Sequence, residues 1–147
     1  LTVDIPPEEV EGVNTELARV GLDNIFLVAP TTPDARIERI AGQASGFIYY
    51  VSLKGVTGAG HLDTGEVARR IEKIRSHSDL PVAVGFGIKD AASARSVAAV
   101  ADGVVVGSAL VHSMAQAIDQ GGDHQAAIQA AVALLSEIRQ GIDGIAS

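Results

Sequence analysis

The strongest constraint on this chain is an alternation. Short apolar runs bounded by Gly, Pro or Asn are separated by longer stretches with apolar residues at helical spacing. The runs are Leu1–Ile5, Asn24–Ala29, Phe47–Val51, Pro81–Val84 and Gly103–Val106. A first helix is predicted from Pro6-Pro7-Glu8-Glu9 through Val10, Val13, Leu17 and Val20, with proline and acids in its opening turn and Gly21 at its end. Others are predicted from Thr32 onward, through Val67, Ile71 and Ile74 to about Arg75, over Asp90–Val100, briefly from Gly107-Ser108, and over Ala126–Gln140. The order is β-α five times over, which demands right-handed crossovers and a parallel sheet. Two α/β architectures satisfy it. One is a five-stranded doubly wound sheet. The other is the later part of a (β/α)8 TIM-type barrel, whose whole takes about 250 residues. A length of 147 residues by itself favours the first.

Composition narrows the classes. Apolar residues make up 47%, enough for a core, which argues against wholesale disorder. With three Phe, two Tyr and no Trp, that core must be aliphatic. The net charge of −7 is a poor match to nucleic acid or an anionic membrane face. Zero cysteines exclude disulfides, thiolate metal sites and cysteine nucleophiles, and agree with a cytoplasmic location. No apolar run reaches the roughly 18 residues of a membrane span. No basic segment precedes an apolar one at the start, so no secretory leader is expected. The chain opens on Leu1 without a methionine, as if a strand were already under way, so a fragment or processed chain is expected. No linker divides it, and residues 1–147 are read as a single domain.

Three glycine turns follow three consecutive predicted strands: Gly55-Val56-Thr57-Gly58, Gly85-Phe86-Gly87 and Gly107-Ser108. All lie at carboxyl ends of parallel strands, where α/β folds place ligands. Glycine lets backbone N–H groups approach an anion, and Gly107-Ser108 adds a helix N-terminus and a hydroxyl. Together they predict a phosphate cradle. The negative net charge does not forbid one, because the long-range field is screened beyond about 8–10 Å in physiological salt. The segment Ser52–Gly65 is long for a βα loop and suits either a lid or a plain surface loop. Tyr49 and Tyr50 must point to opposite sides of their strand. One is expected at the ligand side, the other among the helices. Asp4 is either a functional residue at a strand end or a cap for the next helix. His61, His77, His112 and His124 show no metal-ligand spacing, and no Ser-His-Asp set can be argued from order.

With these turns in hand, the chain resembles the tryptophan synthase alpha chain family. The carriers are Val3-Asp4-Ile5-Pro6-Pro7-Glu8-Glu9, Ile25-Phe26-Leu27-Val28-Ala29-Pro30-Thr31-Thr32, and Phe47-Ile48-Tyr49-Tyr50-Val51-Ser52 with Gly55-Val56-Thr57-Gly58-Ala59. Gly85-Phe86-Gly87-Ile88 and Gly107-Ser108-Ala109-Leu110-Val111 complete the set. The resemblance selects the (β/α)8 barrel over the doubly wound sheet. It implies a partial barrel, beginning at about the fourth strand and holding about the last five β/α units.

It further implies a lyase of tryptophan biosynthesis that splits indole-3-glycerol phosphate, by a retro-aldol reaction, into indole and glyceraldehyde 3-phosphate. Such a lyase needs no cofactor of its own. Indole passes to a beta chain that carries pyridoxal phosphate, in a complex of alpha and beta chains. By the same resemblance Gly58, Gly85, Gly87, Gly107 and Ser108 are phosphate-binding, and Phe86 and Tyr49 lie around the substrate. Leu1, Val3, Leu27 and Val105 line the apolar indole pocket. Thr57 supports a catalytic aspartate, with Tyr49 also supporting. One often-basic lid position is Leu53 here, beside Lys54. The family's catalytic glutamate and aspartate lie in the first half of the barrel and have no counterpart in this chain. The chain alone is therefore expected to be inactive. Pro6, Glu8 and Glu9 are candidate contacts to a beta chain. The alternative from another class is a non-catalytic half-barrel that binds phosphate ligands or a partner chain.

Overall fold

The computed structural model describes residues 1–52, 64–85 and 87–144. The elements in chain order are α1 (Glu11–Arg19), β1 (Phe26–Val28), α2 (Asp34–Gln43), β2 (Ile48–Val51) and α3 (Thr64–Arg75). They continue with β3 (Val82–Gly85), α4 (Ala91–Ala98), β4 (Gly103–Val105), α5 (Ser108–Asp119) and α6 (His124–Asp143). The sheet has four strands in the order β1-β2-β3-β4. Every pairing is parallel, so each strand returns through a helix.

Register decides which side chains share a face. Phe26, Ile48 and Val82 form one row, and Val28, Tyr50, Val84 and Val104 the next, all pointing to the helix side. There they meet Ile37 and Ile40 of α2, Val67, Ile71 and Ile74 of α3, and Ala94 and Val97 of α4. The opposite side carries Leu27, Tyr49, Ala83 and Gly103 in one row, then Val51, Gly85 and Val105. Apart from Gly85 these are only half-buried. A doubly wound sheet needs helices on both faces. Among the described residues, the buried core lies on one face only. That is how a barrel wall is built, with helices outside and the other face turned inward.

Four expectations are corrected. Leu1–Ile5 is not a strand. Thr2 donates one ladder-type bond to the Ile25 carbonyl at 3.0 Å, and pairing stops there. Asp4 sits at φ 65, in the left-handed region, and Pro6 and Pro7 have no N–H to continue a ladder. The first helix begins at Glu11, not at Pro6, because residues 6–9 are taken up by a turn closed from Glu9 N–H to the Pro6 carbonyl. The helix after Gly107 is not short: α5 has 12 residues. The last helix is also longer than predicted, at 20 residues, with Asp123 accepting from the Ala126 N–H at its start. It runs on through Gly141, where any Cβ would come within 2.9 Å of Ala91. The glycine is what lets α6 lie against α4.

Asn24, inside the apolar run 24–29, is a buried polar hub. Its amide donates to Asn14 Oδ1 at 2.6 Å, and its backbone N–H donates to Ser45 Oγ at 2.8 Å. Its side-chain oxygen accepts from the Thr2 hydroxyl. These bonds tie the opening segment, α1 and the α2–β2 loop together while leaving no amide group of Asn24 unmet.

Candidate functional site

The carboxyl ends of all four strands lie together, as a parallel sheet requires. Tyr50 is buried on the helix side, at 1% exposure, and Tyr49 stands on the open face. Tyr49 leans across to β3. A Cβ placed on Gly85 would come within 2.6 Å of Tyr49 Cζ, so glycine is what gives the phenol ring its place. Ser52 holds the same glycine from the other side. Both its backbone N–H and its hydroxyl donate to the Gly85 carbonyl, each at 3.0 Å. The end of β3 is thus anchored while the Gly85 side position stays open to an aromatic ring. Gly87 follows at φ 76, a backbone that L side chains rarely adopt.

The helix starts differ in a telling way. At α4, Asp90 accepts from the Ser93 N–H at 2.8 Å, and the Ser93 hydroxyl accepts from the Asp90 N–H at 3.2 Å. This capping box satisfies the helix from within. The Ser93 hydroxyl, and then its backbone N–H, hold the Asp90 carboxyl below its ordinary range. At α5 the cap is Gly107, and no side chain accepts from the first turn. Gly107 is exposed, and a Cβ there would meet nothing within 4 Å. Ser108 beside it is exposed as well. An uncapped helix start next to a hydroxyl can receive an oxyanion.

The apolar candidates divide. Val3 and Leu27 line one groove of about 270 Å³ along β1, together with Ile5, Pro7, Phe26 and Ile40. Val105 lies in the next row along from Leu27 on the open face, three strands away, and is half-buried. Leu1 stands exposed at 68%. Gly58, Phe86 and Thr57, with Leu53, Lys54 and the rest of the lid candidate, lie outside the described residues. Glu8 of the suggested partner contact pairs with Arg39, whose guanidinium holds its carboxyl below the usual range. Glu9 is exposed and Pro6 half-buried. Among the described residues no three acidic or histidine side chains gather as a metal-ligand set. Among them, too, no helix is long and apolar enough to cross a membrane.

Two supporting residues escaped the sequence reading. Ser52 was legible only as the residue after a strand. Arg70 reaches from α3 to the loop after β1, donating to the Pro30 carbonyl at 3.0 Å and to the Thr32 carbonyl. Asp34 faces both Arg70 and Lys73, the latter at 3.0 Å. Amphipathic spacing marks position 70 only as a residue beside the buried Ile71. Nothing local says that it ties α3 to the loop after β1.

The family model for the tryptophan synthase alpha chain matches residues 1–142. The alpha chain of Thiobacillus denitrificans is 53% identical over 143 residues, which is 97% of this chain and 50% of that protein. That of Bordetella pertussis is 55% identical over 148 residues, covering 99% and 52%. The crystal structure of tryptophan synthase subunit alpha from Legionella pneumophila superposes with a TM-score of 0.80 at 40% identity, over 97% of this chain and 50% of that one. Tryptophan synthase from M. tuberculosis in an open form gives a TM-score of 0.76 at 29% identity. The chain spans about half the length of the curated relatives it matches. The one-sided sheet is accordingly part of a (β/α)8 barrel, and this chain belongs to the tryptophan synthase alpha chain family.

Proposed function

We propose that this chain is the phosphate-binding part of an alpha-type lyase, which cleaves indole-3-glycerol phosphate to indole and glyceraldehyde 3-phosphate. The observation that carries the reading is the meeting of Gly85, Gly87 and the uncapped Gly107-Ser108 start at the carboxyl ends of adjacent strands β3 and β4. Backbone N–H groups and the Ser108 hydroxyl would take the phosphate. Tyr49, Leu27, Val105 and Val3 would form part of the wall against the indole ring, with Leu1 at its margin. Gly58 would complete the cradle, Phe86 would stand beside the substrate, and Thr57 would support the aspartate, on family positions alone. The reaction also needs an acid to protonate the indole ring carbon and a base to remove a proton. In the family those are a glutamate and an aspartate that this chain does not contain. Residues 1–147, read as one partial domain, therefore bind without cleaving. The product indole would pass to a beta chain, the partner that holds pyridoxal phosphate. A cytoplasmic setting fits this metabolism.

The test has two arms. Incubated with indole-3-glycerol phosphate, the 147-residue chain should release no indole. In the second arm glycerol 3-phosphate is titrated while backbone amides are followed by NMR. Gly85, Gly87, Gly107 and Ser108 should shift together, and Gly107→Asp should abolish the shift by placing a carboxylate where the phosphate sits. Indole release would overturn the assignment of the missing carboxylates. Shifts scattered elsewhere would overturn the cradle. The alternative, a half-barrel that only binds, is favoured by the same missing carboxylates. It would be upheld if fusion to the first half of the Bordetella pertussis relative restored no cleavage.

A further inference from the structure

Gly85 is glycine by necessity. It is buried at the end of β3, and a Cβ there would come within 2.6 Å of Tyr49 Cζ. Gly103, one strand away on the same face, is under no such pressure, because its Cβ would rest 3.6 Å from that of Ala83. The Tyr49 ring therefore puts a flexible residue at the point where the strand gives way to the turn. Gly87, two residues on, adds a second, at φ 76. Glycine loses more conformational freedom on ordering than any other residue. A turn that begins and ends on glycine binds an oxyanion well only when something else holds it still.

Ser52 supplies that hold. Its N–H continues the β2–β3 ladder past Val51, which pairs with Gly85, and donates to the Gly85 carbonyl at 3.0 Å. Its hydroxyl donates to the same oxygen, also at 3.0 Å. A carbonyl oxygen has two lone pairs, and one residue here brings a donor to each. The first bond is what any parallel ladder provides. The second depends on a hydroxyl side chain at position 52. Two donors converging on one oxygen fix the direction of the carbonyl, and with it ψ of Gly85, a dihedral that glycine otherwise leaves free. We propose that Ser52 is a positioning residue for phosphate: its hydroxyl holds the turn from Gly85 to Gly87 in the conformation that the phosphate meets, without touching the phosphate itself. The inference rests on the phosphate-cradle reading and deepens it, because it makes affinity depend on a side chain outside the cradle.

The experiment titrates the 147-residue chain with glycerol 3-phosphate, read from the amide signals of Gly85, Gly87, Gly107 and Ser108, and measures amide relaxation without ligand. Ser52→Ala keeps the backbone bond and loses the second donor. Its dissociation constant should rise about three- to tenfold, the worth of one hydrogen bond. The ligand-free Gly87 amide should move more on the picosecond-to-nanosecond scale than in the unsubstituted chain. Ser52→Thr retains the hydroxyl and should bind as the unsubstituted chain does. Ser96→Ala removes a comparable bond on α4, from a hydroxyl to the Ala92 carbonyl, and should change neither reading. A lower urea midpoint in Ser52→Ala with an unchanged dissociation constant would mean a purely structural role and overturns the proposal. Weaker binding with Gly87 as still as before would mean that the hydroxyl touches the ligand directly, which also overturns it. So does a Ser52→Thr chain that binds no better than Ser52→Ala. If the unsubstituted chain does not bind, the cradle falls and the role of Ser52 with it. If it binds and Ser52→Ala binds equally well, the role of Ser52 falls alone.

Discussion

The two faces of the sheet come from the same strands and the same period of two, yet they are built differently. On the helix side Phe26, Val28, Ile48, Tyr50, Val82 and Val84 are no more than 3% exposed and locked among aliphatic side chains of α2, α3 and α4. On the other side Leu27, Tyr49, Val51 and Val105 are only half-buried, and small residues, Ala83, Gly85 and Gly103, alternate with them. The first face is where burial stabilises the fold. The second is the inward side of a barrel wall, with the glycine turns at its upper rim. Stability and binding are thus separated by a single strand thickness.

Substitutions can break or sharpen that contrast. The largest effect is expected on the helix side. Ile71→Ala, at a site 1% exposed, should cost about 2–5 kcal/mol in urea unfolding. The open-face change Val51→Ala should cost less than about 1.5 kcal/mol. Equal losses would mean that both faces are packed in solution. Next comes Gly85→Ala, where the new Cβ strikes the Tyr49 ring, at a cost of about 1–3 kcal/mol. Tyr49→Ala should recover much of that loss in the double variant. Gly103→Ala, whose Cβ would rest 3.6 Å from that of Ala83, should be tolerated. A Gly85 variant that Tyr49→Ala does not rescue would argue against the lean of the ring.

Smaller still are the polar supports. Asp90→Ala removes the α4 cap and should cost about 1 kcal/mol. Asp102 accepts from the Val82 N–H at 2.8 Å and from Arg75 at 2.9 Å, and the Val82 bond is the main reason its carboxyl is held low. A depressed carboxyl contributes stability above its unfolded pKa, about 3.9 for aspartate, and loses it as pH falls through the folded value. Asp102→Asn should therefore flatten the decline in urea midpoint on the acid side of pH 4, and a parallel curve would refute the coupling. The smallest effect is at Arg19 and Glu16, both more than two-thirds exposed. Replacing either should leave the midpoint unchanged.

Much of this was legible in the residues. The runs NIFLVA, FIYYV, PVAV and GVVV each match a strand to within a residue or two at either end, because a continuous apolar run has few other places to go in an α/β chain. The amphipathic spacing of Val67, Ile71 and Ile74 placed their shared buried face. Leu1–Ile5 misled because its composition is that of a strand, while the left-handed backbone at Asp4 appears only when the chain is folded. The glycine turns were visible as turns. That Gly107 is uncapped while Asp90 caps its own helix was partly readable from the Asp-x-x-Ser spacing.

The sequence by itself determined the repeating β-α order, the aliphatic core and the family, since periodicity and turn residues act over a few positions and survive any rearrangement of the whole. Only the tertiary structure decided the rest. It showed that among the described residues the buried core lies on one face of the sheet, that Tyr49 occupies the space glycine leaves at position 85, and that Arg70 ties α3 to the loop after β1, about forty residues away. Those facts depend on which strands become neighbours and in what register. That choice is made by the packing of distant segments, and no local pattern encodes it.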